Sequence, residues 1–172
     1  MRQSLRFPLM TCLALAITGT PALAQEAQED CEPSEQQREL LERVNEARSE
    51  TRQCGDEAFE AADPLTWSCR LAEAAEAHSR AMAENEFFSH TDEEDEGVAA
   101  RVDETGYAWR RVGENIAAGQ PDAASVVEGW VDSPGHCANL MNSEFTEMGA
   151  ASVEASESKY SPFWTQVLAQ PR

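Results

Sequence analysis

Residues 113–136 read GENIAAGQPDAASVVEGWVDSPGH. Val126, Val127, Trp130 and Val131 recur at helical spacing and predict a helix over about Asp122 to Asp132, which Ser133-Pro134-Gly135 stops. Two chemistry-bearing groups flank that helix. Glu114 lies between Gly113 and Asn115, where a carboxylate can accept an imidazole N–H and raise the basicity of the ring. His136 follows Ser-Pro-Gly in turn-rich sequence, the context of a cleft-lining imidazole. Glu114 and Asn115 have a structural alternative: Asn tolerates left-handed backbone and both side chains satisfy loop amides, so they can serve to hold a cleft wall.

Toward the N-terminus, Ser34 opens a helix with Gln37 three residues on, as in a capping box, and Leu40, Leu41, Val44 and Ala47 follow at helical spacing. Thr51 to Asp63 reads as loop. A second helix is predicted from about Trp67 to Asn85, with Leu71, Ala74, Ala75, His78 and Met82 on one face. His78 on that stripe reads as a core histidine bonded to a polar neighbour. After Phe87-Phe88-Ser89-His90 comes the acidic run Asp92 to Glu96, which lacks the ligand order of an EF-hand and reads as solvated loop. A short helix near Val98 to Thr105 ends at Gly106. Toward the C-terminus, His136 to Asn142 is a helical turn, and Glu147 to Val153 and Phe163 to Leu168 are strand candidates. Helices early and strands late, with no βαβ alternation, predict an α+β domain with helices packed on a small antiparallel sheet. Trp67, Trp130 and Trp164 lie in these patterned stretches and read as core. Trp109, beside Arg110 and Arg111, reads as the exposed aromatic, and Arg101 as a structural tie to a carboxylate.

The chain has 172 residues, 13 Lys+Arg against 32 Asp+Glu, and a formal net charge of −19. Phosphate binding needs Lys and Arg to displace counterions, so this balance argues against nucleic acid and anionic membrane surfaces as partners. Residues 1–24 carry Arg2 and Arg6, a mostly apolar stretch from Phe7 to Ile17, and Ala22-Leu23-Ala24 before Gln25. That is the pattern of a secretory signal peptide, too short to span a bilayer. Its removal leaves a polar, acidic segment (25–33) and a domain over 34–172, with a formal charge of about −21. The expected location is secreted or periplasmic. Cys12 leaves with the signal; Cys31, Cys54, Cys69 and Cys137 remain, an even count that reads as two disulfides in any of three pairings.

Further out, many short motifs occur in one order: Pro64-Leu65-Thr66-Trp67, Ala74-Ala75-Glu76-Ala77-His78, Phe87-Phe88-Ser89-His90, Gly113-Glu114-Asn115-Ile116-Ala117, Trp130 to His136, Phe145-Thr146-Glu147-Met148-Gly149 and Trp164-Thr165-Gln166-Val167. This series, over roughly Leu40 to Leu168, resembles the bacterial branch of the CAP (SCP-like) superfamily, which unites cysteine-rich secretory proteins, antigen five and plant pathogenesis-related proteins. The resemblance implies an α-β-α sandwich with a central antiparallel sheet and an open cleft. It implies the pairing Cys54–Cys137 and Cys31–Cys69.

By the same resemblance, His90 and Glu114 match the first His and first Glu of a cavity tetrad of two His and two Glu that binds zinc or another divalent ion in some animal members. Ser133 stands where those members have the second Glu, and Phe163 where they have the second His. His136 is then the candidate replacement, making His90, Glu114 and His136 a three-ligand divalent site with Asn115 beside it in the cleft. The leading functional reading is a binding or interaction module whose cleft takes a small hydrophobic ligand, an envelope component or a divalent metal. A disulfide-stabilised structural envelope protein ranks second. A metal-dependent or serine-type hydrolase ranks last, because no GxSxG elbow is present and Ser89 beside His90 is adjacency in sequence only.

Overall fold

The structure, a computed structural model, describes residues 31–92 and 95–172. The signal segment (1–24) and most of the acidic segment (25–33) lie outside the described residues. The first helix, α1 (Glu35–Arg48), carries the expected capping box: the Gln37 amide donates to Ser34 Oγ while Gln37 Oε1 accepts from the Ser34 amide. A hairpin of β1 (Arg52–Cys54) and β2 (Glu57–Phe59) turns through Gly55 at φ +63°. Then come β3 (Thr66–Trp67), α2 (Cys69–Glu84), α3 (Val98–Glu104), β4 (Trp109–Ala118), α4 (Ala123–Asp132), α5 (Pro134–Met141), β5 (Glu147–Val153) and β6 (Phe163–Pro171). Asp122 caps α4 by accepting from the Ser125 amide at 2.8 Å, and Pro134 sits in the first turn of α5, where its missing N–H costs nothing.

The main sheet has the order β3-β5-β6-β4. Both long pairings, β5–β6 and β4–β6, are antiparallel, as the resemblance implies. The two-residue β3 is a departure: it runs parallel to β5, its amides of Thr66 and Ser68 donating to the Thr146 and Met148 carbonyls. This pairing consumes Trp67, so α2 begins at Cys69 and not at Trp67. The segment expected as loop, Thr51 to Asp63, also contains the β1–β2 hairpin. Its strands are three residues each and mostly exposed, too short to leave an alternating apolar pattern in sequence.

Strand β6 is buried on both sides over Phe163 to Ala169, the mark of the middle layer of a three-layer fold. Val167 and Ala169 pack with Leu71, Ala74 and Ala75 of α2 and Val102 of α3, while Trp164 and Leu168 pack with Leu40 and Val44 of α1 and with Val126 and Trp130 of α4. Helices therefore cover both faces, as the α-β-α sandwich requires. The α2 layer lies unusually close to the sheet. At Gly149 any Cβ would overlap the backbone of Leu71 and Ala72.

On the other side, Arg48 is fully buried and, among the described residues, has no carboxylate in salt-bridge contact. Its guanidinium donates to four main-chain carbonyls, those of Asp63, Leu140, Asn142 and Phe145, and so binds α1 to the end of α5 and to the turn before β5. Burial lowers its pKa from the usual arginine value. The disulfides are Cys31–Cys69 and Cys54–Cys137. The second closes a span of 83 residues and clamps the β1–β2 hairpin to α5; chain entropy assigns such a link about 4 kcal/mol.

Gly149→Ala is expected to destabilise the domain by about 3 kcal/mol or more through overpacking against α2 backbone. Gly135→Ala, where an added Cβ meets nothing within 4 Å, is expected to be neutral or slightly stabilising. Urea denaturation of the two variants measures the contrast.

Candidate functional site

The alternation of β4 divides its side chains between the two helical layers. Glu114 and Ile116 face α2, whereas Asn115 and Ala117 face α4 and α5. On the α2 side Glu114 is almost fully buried, with 3% of its side chain exposed. One oxygen accepts from Arg101 at 2.8 Å, and the other meets His90 Nδ1 at 2.8 Å. His78 Nε2 stands 3.9 Å from the second oxygen and donates to the Ser89 carbonyl at 2.8 Å. Arg101 also donates to the carbonyls of His90 and Glu96, so one guanidinium holds the loop after α2, the start of α3 and β4 together.

These contacts assign tautomers. The Ser89 carbonyl can only accept, so His78 carries its proton on Nε2, and its buried Nδ1, which has no donor, is the bare nitrogen. The ring is held neutral: burial pushes the His78 pKa below the ordinary histidine value, against the opposing charge of Glu114. At His90 the carboxylate accepts from Nδ1–H. The His90 side chain is 57% exposed. Glu114 thus orients a solvent-facing imidazole, and Arg101 balances the charge of the carboxylate.

Asn115 does not face the cleft. It is fully buried, its amide donating to Gln166 Oε1 and to the His136 carbonyl and its oxygen accepting from Asn139. Its role is the structural alternative read from the sequence, a post that seats α5 on β4. His136 projects elsewhere from that seat, into the wall of a cavity of about 600 Å³ that also takes in Phe88, Ile116, Ala118, Trp130 and Tyr160. Burial, and secondarily the charge of His90, lower its pKa, so it too is neutral near pH 7.

The proposed ligands His90, Glu114 and His136 are therefore not brought into one cluster. Both Glu114 oxygens are engaged, by His90 and Arg101, and among the described residues no three His, Cys, Asp or Glu side chains are placed to hold an ion. Ser133 lines the cavity without supplying a carboxylate, and Phe163 is core, packed with Met82 and Ile116. The residues present do not fit a resident divalent ion. Nor, among the described residues, is the Ser89 hydroxyl paired with an imidazole: Oγ accepts from the Thr91 amide.

Two aromatics also change place. Trp109, expected to be exposed, is half-buried beside α3 with Nε1 donating to Asp103 at 2.8 Å. The exposed ones are Phe88 and Tyr160, 55% each, and both line the cavity. The sequence carried a signal for Phe88 in its position just before His90, and none for Tyr160. His78 is a core residue as read, but its approach to Glu114 depends on two elements meeting across layers.

The model of the cysteine-rich secretory protein (CAP) family matches residues 41–168. The chain belongs to the CAP family. Among curated proteins, this CAP domain is 39% identical over 85 residues to the Bacillus subtilis protein described as uncharacterized membrane protein YlbC, covering 49% of this chain and 25% of the relative. Among solved structures, an extracellular protein containing an SCP domain from Bacillus anthracis matches with TM-score 0.56 and 31% identity, over 63% of this chain and 34% of that one. Venom allergen-like protein 4 of Schistosoma mansoni matches with TM-score 0.59 over 81% of this chain and 91% of that one; at 15% identity it shows the fold alone. The chain thus spans a quarter to a third of the length of its first bacterial relatives.

Glu114→Gln leaves the buried Arg101 charge uncompensated and is expected to cost about 3 kcal/mol. Removing the exposed Arg43–Glu39 pair by Glu39→Gln is expected to leave stability nearly unchanged. Denaturant midpoints and slopes compare them. For the buried His78 and the half-buried His136 the sign is fixed: below pH 6.5 the unfolded chain takes up protons that the folded rings resist. Stability should therefore be complete above pH 6.5 and decline from there toward pH 5.5, with a smaller decline in His78→Gln, as read by urea midpoints across that range.

Proposed function

We propose that this CAP domain is an extracellular binding module whose cavity takes a small ligand with a mainly apolar body. The observation that carries the reading is the cavity of about 600 Å³, walled by Phe88, Ile116 and Trp130 and overhung by the exposed ring of Tyr160. That volume lies within the range of small-molecule sites, which are apolar with a few placed polar groups. Here the polar groups are His136, Ser133 and Gln120. The two exposed aromatics, Phe88 and Tyr160, line the same cavity and so are not singly scattered on the surface.

Two disulfides, the export-like residues 1–24 and the extracellular relative from Bacillus anthracis support a site of action outside the cytoplasm. Among the described residues no helix is long and apolar enough to cross a membrane. The cleft can orient and shield a ligand.

Toluene serves as a minimal apolar probe. Titration followed by amide NMR is expected to give saturable shifts at Ile116, Gly129 and His136. In Gly129→Leu, which fills the cavity from α4, the shifts should disappear while the fold is retained. Absence of saturable shifts in the wild type, or their persistence in Gly129→Leu, would count against the cavity as the site.

A further inference from the structure

Strand β4 is the edge of the main sheet on the cavity side. Antiparallel strands alternate residues that bond their partner with residues whose main-chain groups point away. The phase here is set by two sets of contacts. The Gly119 amide donates to the Pro162 carbonyl at 2.9 Å, which extends the bonded set Gly113, Asn115 and Ala117, opposite Leu168, Gln166 and Trp164. On the far side, the Glu114 and Ile116 carbonyls accept from Asn139 Nδ2 and Trp130 Nε1 of α5 and α4. Glu114, Ile116 and Ala118 therefore turn their main-chain groups away from β6.

The outward carbonyls of Glu114 and Ile116 are thus satisfied. The outward amides of Ile116 and Ala118 are different: among the described residues no carbonyl or side chain accepts from either. Ile116 is only 4% exposed, Ala118 is half-buried, and both line the cavity. Buried main-chain N–H groups are nearly always paired, so the unpaired Ile116 amide in the wall of an apolar cavity, with the Ala118 amide on the same edge, points to acceptors brought by a ligand. The two amides are two residues apart on one strand edge, about 7 Å. Alternate carbonyls of an extended peptide have the same repeat.

We propose that β4 is a docking edge for an extended peptide, whose carbonyls accept from the Ile116 and Ala118 amides while one bulky apolar side chain enters the cavity between Phe88, Trp130 and Tyr160. This rests on the binding-module reading and names the ligand class. It is the strand-addition mode of recognition, in which main-chain bonds supply affinity and a side-chain pocket supplies selectivity. With a formal charge of −19 on the chain, the flanks of the peptide are neutral or basic; acidic flanks are repelled.

The probe is the blocked pentapeptide acetyl-Thr-Val-Phe-Val-Lys-amide, titrated beside toluene into the wild type and into Ala118→Pro. Proline removes the outward N–H without breaking a bond to β6, a position where a strand edge tolerates it. The expected result is saturable peptide binding that weakens by about 10-fold or more in Ala118→Pro, together with slowed exchange at the Ile116 and Ala118 amides of the peptide-bound wild type. Equal peptide binding by both proteins overturns the proposal. Toluene binding without peptide binding overturns the peptide and leaves the binding module standing, whereas failure of both probes removes both. Should Ala118→Pro not fold, hydrogen exchange decides in the wild type: saturating peptide is expected to slow exchange at the Ile116 and Ala118 amides about 10-fold or more, and unchanged rates overturn the proposal.

Discussion

Helix α2 rests directly on β5 at Gly149, so close that the strand has no room for a side chain there. That contact sets the distance between two layers of the sandwich. The helix face that follows is built from small residues, Ala72, Ala74, Ala75 and Ser79, and Ser79 Oγ reaches Thr165 of β6 at 2.8 Å. Only at this spacing does a histidine of α2 come within 3.9 Å of a carboxylate on β4. A wider gap, filled by larger side chains, would separate His78 from Glu114.

Strand β4 carries two networks, one on each face. On the α2 face Glu114 gathers His90, Arg101 and His78, joining the loop after α2 and the start of α3 to the sheet. On the other face Asn115, Gln166 and Asn139 form a neutral, buried set that fixes α5 and, through its main chain, His136. The charged network tolerates one exposed member, His90, because its imidazole needs only one protein partner. The neutral network is closed to solvent and gains rigidity from being satisfied. The cavity lies where the two meet, at the end of the strand where the helices diverge.

Much of the scaffold was legible because local chemistry dictates it. The Ser34–Gln37 box, Gly106 after α3 and the stop at Ser133-Pro134-Gly135 mark ends through backbone requirements that neighbours in sequence satisfy. Strand β5 falls on Glu147 to Val153 as read, and β6 runs past Leu168 to Pro171 because β4 continues to pair with it. What escaped were short or edge elements. The β1–β2 hairpin and β3 are two or three residues per strand, too short to leave an alternating pattern, and β3 pairs with β5, far along the chain. Trp109 looked exposed among polar neighbours, yet Asp103 at the end of α3 supplies its acceptor.

The order of motifs along the chain was sufficient to determine the family, the three-layer fold and the two histidine-bearing segments, because each motif meets a local demand for a cap, a turn or an apolar stripe. The pairing Cys54–Cys137, implied by resemblance, stands in the structure as well. Which titratable groups meet was decided only in three dimensions. Glu114 and His136 are 22 positions apart and on adjoining elements, yet the alternation of β4 sends the Glu114 side chain toward α2 while α5 is anchored on the opposite face. A strand separates successive residues onto two faces, so nearness in sequence cannot say which carboxylate and which imidazole will share a site.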